Sequence, residues 1–402
     1  MIIAPKIRGF VCTTAHPEGC KNHVMEWIDC VRQRTCFWGV SKPKKVLIIG
    51  SSSGFGLASR VVSSFGIGAE TIGVFLEKRS TKKRTASPGW YNAAAFEKAA
   101  HKSGLYAKSI NGDAFSDAIK EQTIRLIQQD WKDGVDLVVY SIASPRRVHP
   151  KTGEMFSAVL KPIKQLYRSK TIDVMTGEIS EVTIEPATEK EIQDTIAVMG
   201  GDDWTLWITS LLENGCLSKE IKTIAFTYIG PEFTHPIYRN GTIGRAKLSL
   251  EATARRLHAL LQSKLGGQAV ISVNKALVTQ ASVAIPVVPL YISLLYKVMK
   301  EKNLHEDCIE QMWRLFRECL YGKNTTFLDT ERRVRIDDRE MRNDVQSEVQ
   351  MLWKSVNSKN VNRISDISGY RKDFYKLFGF GLSNVDYEQD VDVDVDIPSI
   401  QF

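Results

Sequence analysis

The chain lacks the features that would mark it as fibrous, disordered or membrane-spanning. Its 402 residues include only 27 glycines and 13 prolines, with no internal repeat or low-complexity stretch, which excludes collagen-like and linker-rich architectures. No apolar run reaches the roughly 20 residues that a bilayer-spanning helix needs. The most apolar stretch, Val283 to Tyr296, is shorter and is interrupted by Pro286 and Pro289. The opening Met1 to Phe10 has neither the apolar core nor the small-residue cleavage site of an export signal, so the expected location is the cytoplasm. Cysteine is scarce and odd in number, at 7, which favours reduced thiols over a disulfide framework.

The 43% hydrophobic and 9% aromatic content suits a folded protein with a sizeable core. Formal charge is +8, from 54 Lys+Arg against 46 Asp+Glu. After Val385 the only charges are Asp386, Glu388, Asp390, Asp392, Asp394 and Asp396, so the body is more basic than the whole and the tail is acidic. A basic body suits nucleic acid, an anionic membrane or a phosphorylated ligand. No zinc-finger spacing or basic–aromatic signature selects nucleic acid, and a phosphate-bearing small molecule is the simpler partner. Val and Asp alternate from Val391 to Val395, which fits a strand, although a solvated tail is the default expectation. Near the start, Cys12, His16, Cys20, His23, Cys30 and Cys36 crowd together, but their spacing matches no standard zinc module. Packed thiols and no metal are expected there.

The organisation begins at Lys45. Val46 to Gly50 is an apolar run entering a Gly/Ser-rich turn, then an apolar-spaced helix, which is a βα unit. Further strands are expected at Thr71–Glu77, Leu105–Ile110, Val135–Ser141, Ile221–Tyr228 and Ala269–Val273, with helices at Ser116–Asp130 and about Ile243–Ser263. That alternation predicts a doubly wound, mainly parallel α/β sheet of the Rossmann-like kind. One elaborated domain is expected: an extension (1–44), a dinucleotide-binding core (45–280) carrying an insertion (144–220), C-terminal helices lining a substrate pocket (281–385) and the acidic tail (386–402). The insertion is predicted to hold a hairpin around Met175 to Gly177 and is a candidate lid.

Three places carry chemistry. Gly50-x-x-x-Gly54-x-Gly56 lies between a buried strand and a helix, where glycines let the backbone approach a pyrophosphate and the helix N-terminus offers unpaired N–H groups. The competing reading is an inert turn. Glu77 ends the second strand, where a carboxylate accepts from adenosine ribose hydroxyls and repels a 2′-phosphate, favouring NADH. Lys78, Arg79, Lys82, Lys83 and Arg84 follow it, either as cations for NADPH or, by default, as a solvated loop. Tyr238 and Lys247 flank Asn240-Gly241-Thr242-Ile243-Gly244, a turn into a helix. A lysine near the phenol would lower its pKa and hold a ribose hydroxyl, giving a tyrosine acid beside a reduced nicotinamide. Tyr228 ends the fifth strand, open equally to a crevice role and to core packing. The segment Ala284 to Leu295 is either the wall of an acyl pocket or a buried helix.

Taken together, the chain resembles the bacterial trans-2-enoyl-thioester reductases of the V type, comprising enoyl-[acyl-carrier-protein] reductases and trans-2-enoyl-CoA reductases, an enlarged relative of the short-chain dehydrogenase/reductase fold. The resemblance runs over residues 1–385 or so. It rests on Met1-Ile2-Ile3-x-Pro5-x-Ile7-Arg8, Cys12-x-x-Ala15-His16-Pro17-x-Gly19-Cys20, Pro88-Gly89-Trp90-Tyr91-Asn92 and Gly112-Asp113-Ala114-Phe115-Ser116-Asp117. It continues through Tyr140-Ser141-Ile142-Ala143-Ser144-Pro145, Val198-Met199-Gly200-Gly201, Tyr228-Ile229-Gly230-Pro231-Glu232 and Ile285 to Tyr291, with Tyr238-x8-Lys247 as hallmark. The resemblance implies NADH-dependent reduction of the carbon–carbon double bond of an enoyl-CoA or enoyl-acyl-carrier protein, in fatty acid synthesis, by a monomer. It makes Tyr238 the proton donor, Lys247 an NADH ligand and Tyr228 the holder of the thioester carbonyl. Cofactor contacts would come from Gly50, Ser51, Ser52, Ser53, Gly54 and Phe55, from Leu76 and Glu77, from Asp113 and Ala114, from Ile142 and Ala143, and from Leu277, Val278 and Thr279. Phe55 stands where many members are expected to have tyrosine. The rival readings are a short-chain ketoreductase or alcohol dehydrogenase, for which the usual Tyr-x3-Lys is missing because residue 242 is Thr, and a non-enzymatic NADH-binding sensor.

Overall fold

The computed structural model describes residues 1–9, 11–34, 42–322 and 328–400. Its centre is a seven-stranded sheet: β1 (Lys45–Ile49), β2 (Glu70–Phe75), β3 (Ala107–Asn111), β4 (Val135–Tyr140), β5 (Leu217–Thr227), β6 (Gln268–Val273) and β7 (Arg333–Arg335). The order across the sheet is β7-β6-β5-β4-β1-β2-β3, and every neighbouring pair is parallel. The winding reverses between β1 and β4, which sets a crevice at their carboxyl ends.

The apolar strands account for the layering. In β1, Val46 and Ile48 face one core with α1 (Pro17–Gln33) and α2 (Gly54–Val61), while Leu47 and Ile49 face another. All four are fully buried, as the two-residue side-chain period requires of a strand covered on both faces. The second core is closed by α4 (Asp117–Asp130), α6 (Asp202–Glu213) and α7 (Thr242–Leu265). The first also gathers α8 (Val288–Glu301), α9 (Cys308–Arg314), α10 (Asn343–Ser355) and α12 (Ile367–Lys376), with α11 (Val361–Ile364) between the last two. A third cluster lies on α3 (Pro88–Lys102).

Two expectations change. The stretch 144–220 is only partly an addition, because α6 is a core helix and β5 already begins at Leu217. Its extra parts are two small hairpins and α5 (Glu189–Met199). The hairpin Tyr167–Ile172/Ile179–Ile184 is fastened to the C-terminal helices: Lys170 Nζ donates to the carbonyls of Trp353, Lys354 and Val356 at 3.0–3.1 Å, and Arg371 Nε donates to Val174 at 2.5 Å. The acidic tail is not solvated along its length. Its valines are half-buried and its aspartates exposed, with no strand pairing among the described residues, and Ile397 is buried against α3. Main-chain carbonyls of Val393 and Val395 accept from Tyr91 Oη and Trp90 Nε1. The valine period was a real signal, but large aromatic donors on α3, invisible to it, supply the anchorage.

In the N-terminal Cys/His segment, His16 caps α1 by accepting from the Gly19 N–H at 3.1 Å, Cys12 donates to the Thr14 carbonyl, and the His23 ring packs at a tilt against Trp27. Among the described residues no group of three or more His, Cys, Asp or Glu is placed to hold a metal ion; Cys36 lies outside them. No helix among those residues is long and apolar enough to cross a membrane.

Candidate active site

The glycine turn follows β1 at the reversal point. Gly50 has φ +88°, and a Cβ there would lie 2.4 Å from the Ser141 carbonyl oxygen. That close approach brings the end of β4, with Ile142 and Ala143 after it, against the turn; the Ser141 N–H in turn donates to the Ile49 carbonyl. Gly56 packs as tightly, because its Cβ would fall 1.9 Å from the Gly50 carbonyl oxygen. Gly54 differs: at φ +52° its missing Cβ faces open space, with only Thr279 Cγ2 at 3.9 Å. Ser53 is the N-cap of α2 without a side-chain cap bond, so that helix end keeps free N–H groups beside the opening. Ser53, Gly54, Leu57, Leu277, Val278 and Tyr296 line a cavity there. An uncapped helix N-terminus beside a glycine with room above it suits a pyrophosphate.

Glu77 lies just past β2. Asn111 clamps its backbone, accepting from its N–H at 2.8 Å and donating to its carbonyl at 3.0 Å. Its carboxylate accepts from Ser52 Oγ at 2.7 Å, and a Cβ on Gly89 would collide with it at 2.0 Å. Burial raises its pKa, opposed by hydrogen bonds from Ser87 and Ser52. Of the other expected contacts, Leu76 is 69% exposed at the strand end. Asp113 accepts from the Phe115 N–H, the carbonyl of buried Ala114 is taken by Lys120 and Trp207, and the Ser51 N–H is spent on the Val74 carbonyl.

The second half of the site gathers at the ends of β5, β6 and β7. Tyr238 sits in the turn before α7, not on the helix. Gly244 lets the helix start pass that turn, because a Cβ would lie 1.9 Å from the Arg239 carbonyl oxygen. Eight intervening residues therefore place Tyr238 and Lys247 across a turn, whereas a spacing of three would stack them along a helix. The Tyr228 and Tyr238 rings meet edge to face with centroids 5.0 Å apart. Lys247 Nζ donates to the Phe226 carbonyl at 3.2 Å, and the Phe226 ring lies 5.7 Å from that of Phe55 on α2. The lysine is thereby held against β5 at the residue whose ring neighbours the glycine turn.

The electrostatics differ from the expectation of a lysine-activated phenolate. No hydrogen bond joins Lys247 to Tyr238 among the described residues. Burial pushes the Tyr238 pKa up, with Arg239 opposing, so the phenol stays protonated. Burial lowers the Lys247 pKa to about 8, opposed by Glu251 one turn further along α7.

Sequence reasoning missed Glu340. This fully buried carboxylate accepts from Tyr228 Oη at 2.9 Å and Tyr291 Oη at 2.6 Å on one oxygen, and from the Ala276 N–H at 2.7 Å on the other. Gln346 Nε2 donates to Tyr291 Oη and to the Glu340 carbonyl. In this arrangement the single Tyr228 hydroxyl proton is committed to Glu340. The Tyr238 hydroxyl has no hydrogen-bond partner among the described residues, which leaves it as the uncommitted donor of the pair.

Three family models match the chain: the NAD(P)H binding domain of trans-2-enoyl-CoA reductase over residues 2–82, the trans-2-enoyl-CoA reductase catalytic region over 84–321, and an enoyl reductase FAD binding domain over 328–391. The chain is 69% identical over 400 residues to an enoyl-[acyl-carrier-protein] reductase [NADH] of Coxiella burnetii, covering 100% of this chain and 98% of the relative. It is 54% identical over 400 residues to a trans-2-enoyl-CoA reductase [NADH] of Ruminiclostridium cellulolyticum, covering both in full. Among solved structures, a Clostridium acetobutulicum trans-2-enoyl-CoA reductase in complex with NADH superposes with a TM-score of 0.95 at 45% identity, over 98% of each chain. Residues 328–391 do not form a flavin cradle of the glycine-turn kind. No glycine lies between β7 and α10; Gly369 and Gly379 are packed against Asp366 and against His16 and Cys20, and Gly381, at φ +75°, follows α12 rather than opening a helix.

Proposed function

The chain belongs to the trans-2-enoyl-CoA reductase family and carries out the NADH-dependent reduction of trans-2-enoyl thioesters; on that premise we propose that Tyr238 is the proton donor, with Tyr228 and Lys247 beside it. Bound NADH supplies the hydride that adds to the β-carbon of the enoyl thioester. The observation that carries the assignment is the contrast between the two phenols: Tyr228 donates to Glu340, and Tyr238 has no acceptor among the described residues. A buried, protonated phenol is suited to meet negative charge as it develops on the thioester oxygen and to pass on its proton. Tyr228 is the second phenol for that oxygen, and it donates there by exchanging its bond to Glu340. Lys247, held at the Phe226 carbonyl, would donate to a ribose hydroxyl of the dinucleotide.

The dinucleotide would lie over Gly54 at the free end of α2, between that turn and Leu277, Val278 and Thr279, with its adenosine ribose toward Glu77. Ser52, Ser53 and Phe55 would contact it from the turn, Ile142 and Ala143 from beyond the end of β4, and Asp113 and Ala114 at its adenosine end. Whole-chain similarity to named reductases disfavours the ketoreductase and sensor readings. The finer reading is a cytoplasmic monomer serving fatty acid synthesis, supported by the family resemblance. The basic body suits both the CoA phosphates and an acidic carrier protein. The test is NADH oxidation by purified protein with crotonyl-CoA and with a crotonyl carrier protein, alongside a ketone substrate and size-exclusion chromatography. Turnover of the enoyl thioesters alone is expected; turnover of the ketone alone would overturn the reading.

A further inference from the structure

The acidic tail ends up beside the loop that follows Glu77, and it makes specific contacts there. Arg79, two residues past Glu77, donates from Nε to Asp394 at 3.0 Å and from Nη2 to Asp396 at 2.7 Å. Ser80 Oγ also donates to Asp394 at 3.0 Å. Arg79 is half-buried, whereas Lys78, Lys82, Lys83 and Arg84 are exposed around a tight turn closed by Thr81 and Arg84. The two aspartates are held in place independently of Arg79. Trp90 and Tyr91 grip the carbonyls of Val395 and Val393, Ile397 is buried, and the Ser399 N–H and hydroxyl donate to Glu97.

A cation just after the ribose-recognising carboxylate is the group that would pair with a 2′-phosphate, since a guanidinium matches phosphate geometry with two parallel donors. Here the Nε and Nη2 edge of the Arg79 guanidinium already donates to two carboxylates of the same chain. We propose that the C-terminal segment is a cofactor-selectivity element, in which Asp394 and Asp396 occupy Arg79 and exclude the 2′-phosphate of NADPH. The tail then adds a second barrier to that of Glu77: the carboxylate repels the phosphate, and the strap removes the cation that would compensate. The inference rests on the reading of Glu77 as the ribose ligand.

The test compares kcat/KM for NADPH and NADH, with crotonyl-CoA at low salt, in the wild type and in Asp394→Asn/Asp396→Asn. NADPH efficiency should rise about tenfold and NADH efficiency stay within about twofold, the scale of one freed arginine–phosphate pair. Adding Arg79→Gln to the double variant should return NADPH efficiency to the wild-type value. An unchanged NADPH efficiency in a double variant with normal NADH turnover would overturn the proposal, as would a gain that persists without Arg79. If the double variant does not fold, Arg79→Gln alone decides: it should leave both efficiencies near wild type, and a loss of NADH turnover would count against the strap. Glu77→Gln separates the two failures, since unaltered NADH binding there would sink the ribose reading itself.

Discussion

The two halves of the site are built by different means. The glycine turn is local: strand, turn and helix are consecutive, the recognising groups are backbone N–H groups, and glycine is needed because neighbouring main chain comes within bonding range. The tyrosine half is assembled from afar. Tyr228, Tyr238, Ala276, Tyr291, Glu340 and Gln346 come from separate segments, and Glu340 lies 112 residues from the phenol it binds. A backbone site tolerates side-chain exchange but not a Cβ in the wrong place, whereas a buried side-chain network tolerates little loss of any partner.

The sharpest way to probe the difference is Tyr238→Phe, expected to lower kcat by about 10²–10⁴ as the loss of a general acid does, with NADH affinity unchanged in a fluorescence titration. Full turnover in that variant would remove the tyrosine half from the chemistry. Within the local half, Gly56→Ala and Gly54→Ala should part company in thermal melts. The first drives a methyl into the Gly50 carbonyl and should cost about 3 kcal/mol, at the upper end for overpacking. The second meets open space and should cost only about 1–2 kcal/mol from its left-handed backbone, while raising the KM for NADH. Equal losses would deny Gly54 its separate role.

Glu340→Ala leaves two phenols and the Ala276 N–H without their acceptor and should cost about 1–3 kcal/mol of stability, with a raised KM for the enoyl thioester. Glu340→Gln should recover most of the melting temperature, since the amide oxygen still accepts from Ala276; no recovery would mean that the charge matters more than the bonds. The smallest effect is on pH. Lys247 is charged below about pH 8 and neutral above it, so the KM for NADH should rise through pH 8. Tyr238 keeps its proton across that range, because burial raises its pKa. Lys247→Arg, which stays charged, should flatten the profile, and an inflection that survives it would belong to another group.

The same contrast explains what could be seen in the sequence. Apolar runs and a glycine turn gave away β1 to β6, since each is written in consecutive residues. Arg333-Val334-Arg335 gave no such signal: β7 is three residues long and largely charged, and its arginines are absorbed by Glu251, Asp329 and Asp337 only once the chain has folded. Glu340 was hidden for a related reason. It ends the run Asp337-Asp338-Arg339-Glu340, which has the look of a solvated face, and only the tertiary fold converts it into a buried acceptor. Tyr238 and Lys247 could be singled out as candidates from their spacing within the dinucleotide frame and the family resemblance, but the direction of Lys247 could not, because the Phe226 carbonyl it finds belongs to β5.

The position of Glu340 also bears on the order in which the protein becomes an enzyme during its synthesis. The strands that hold the glycine turn, β1 to β4, leave the ribosome while nearly two-thirds of the chain is still to be made, and domains generally fold as they emerge. The carboxylate that anchors Tyr228 arrives only near the end. Lys247 and Leu277 to Thr279, proposed to contact the dinucleotide, and the helices α8 to α12 that complete the first core also follow β4, so neither half of the site is complete until the chain is nearly finished.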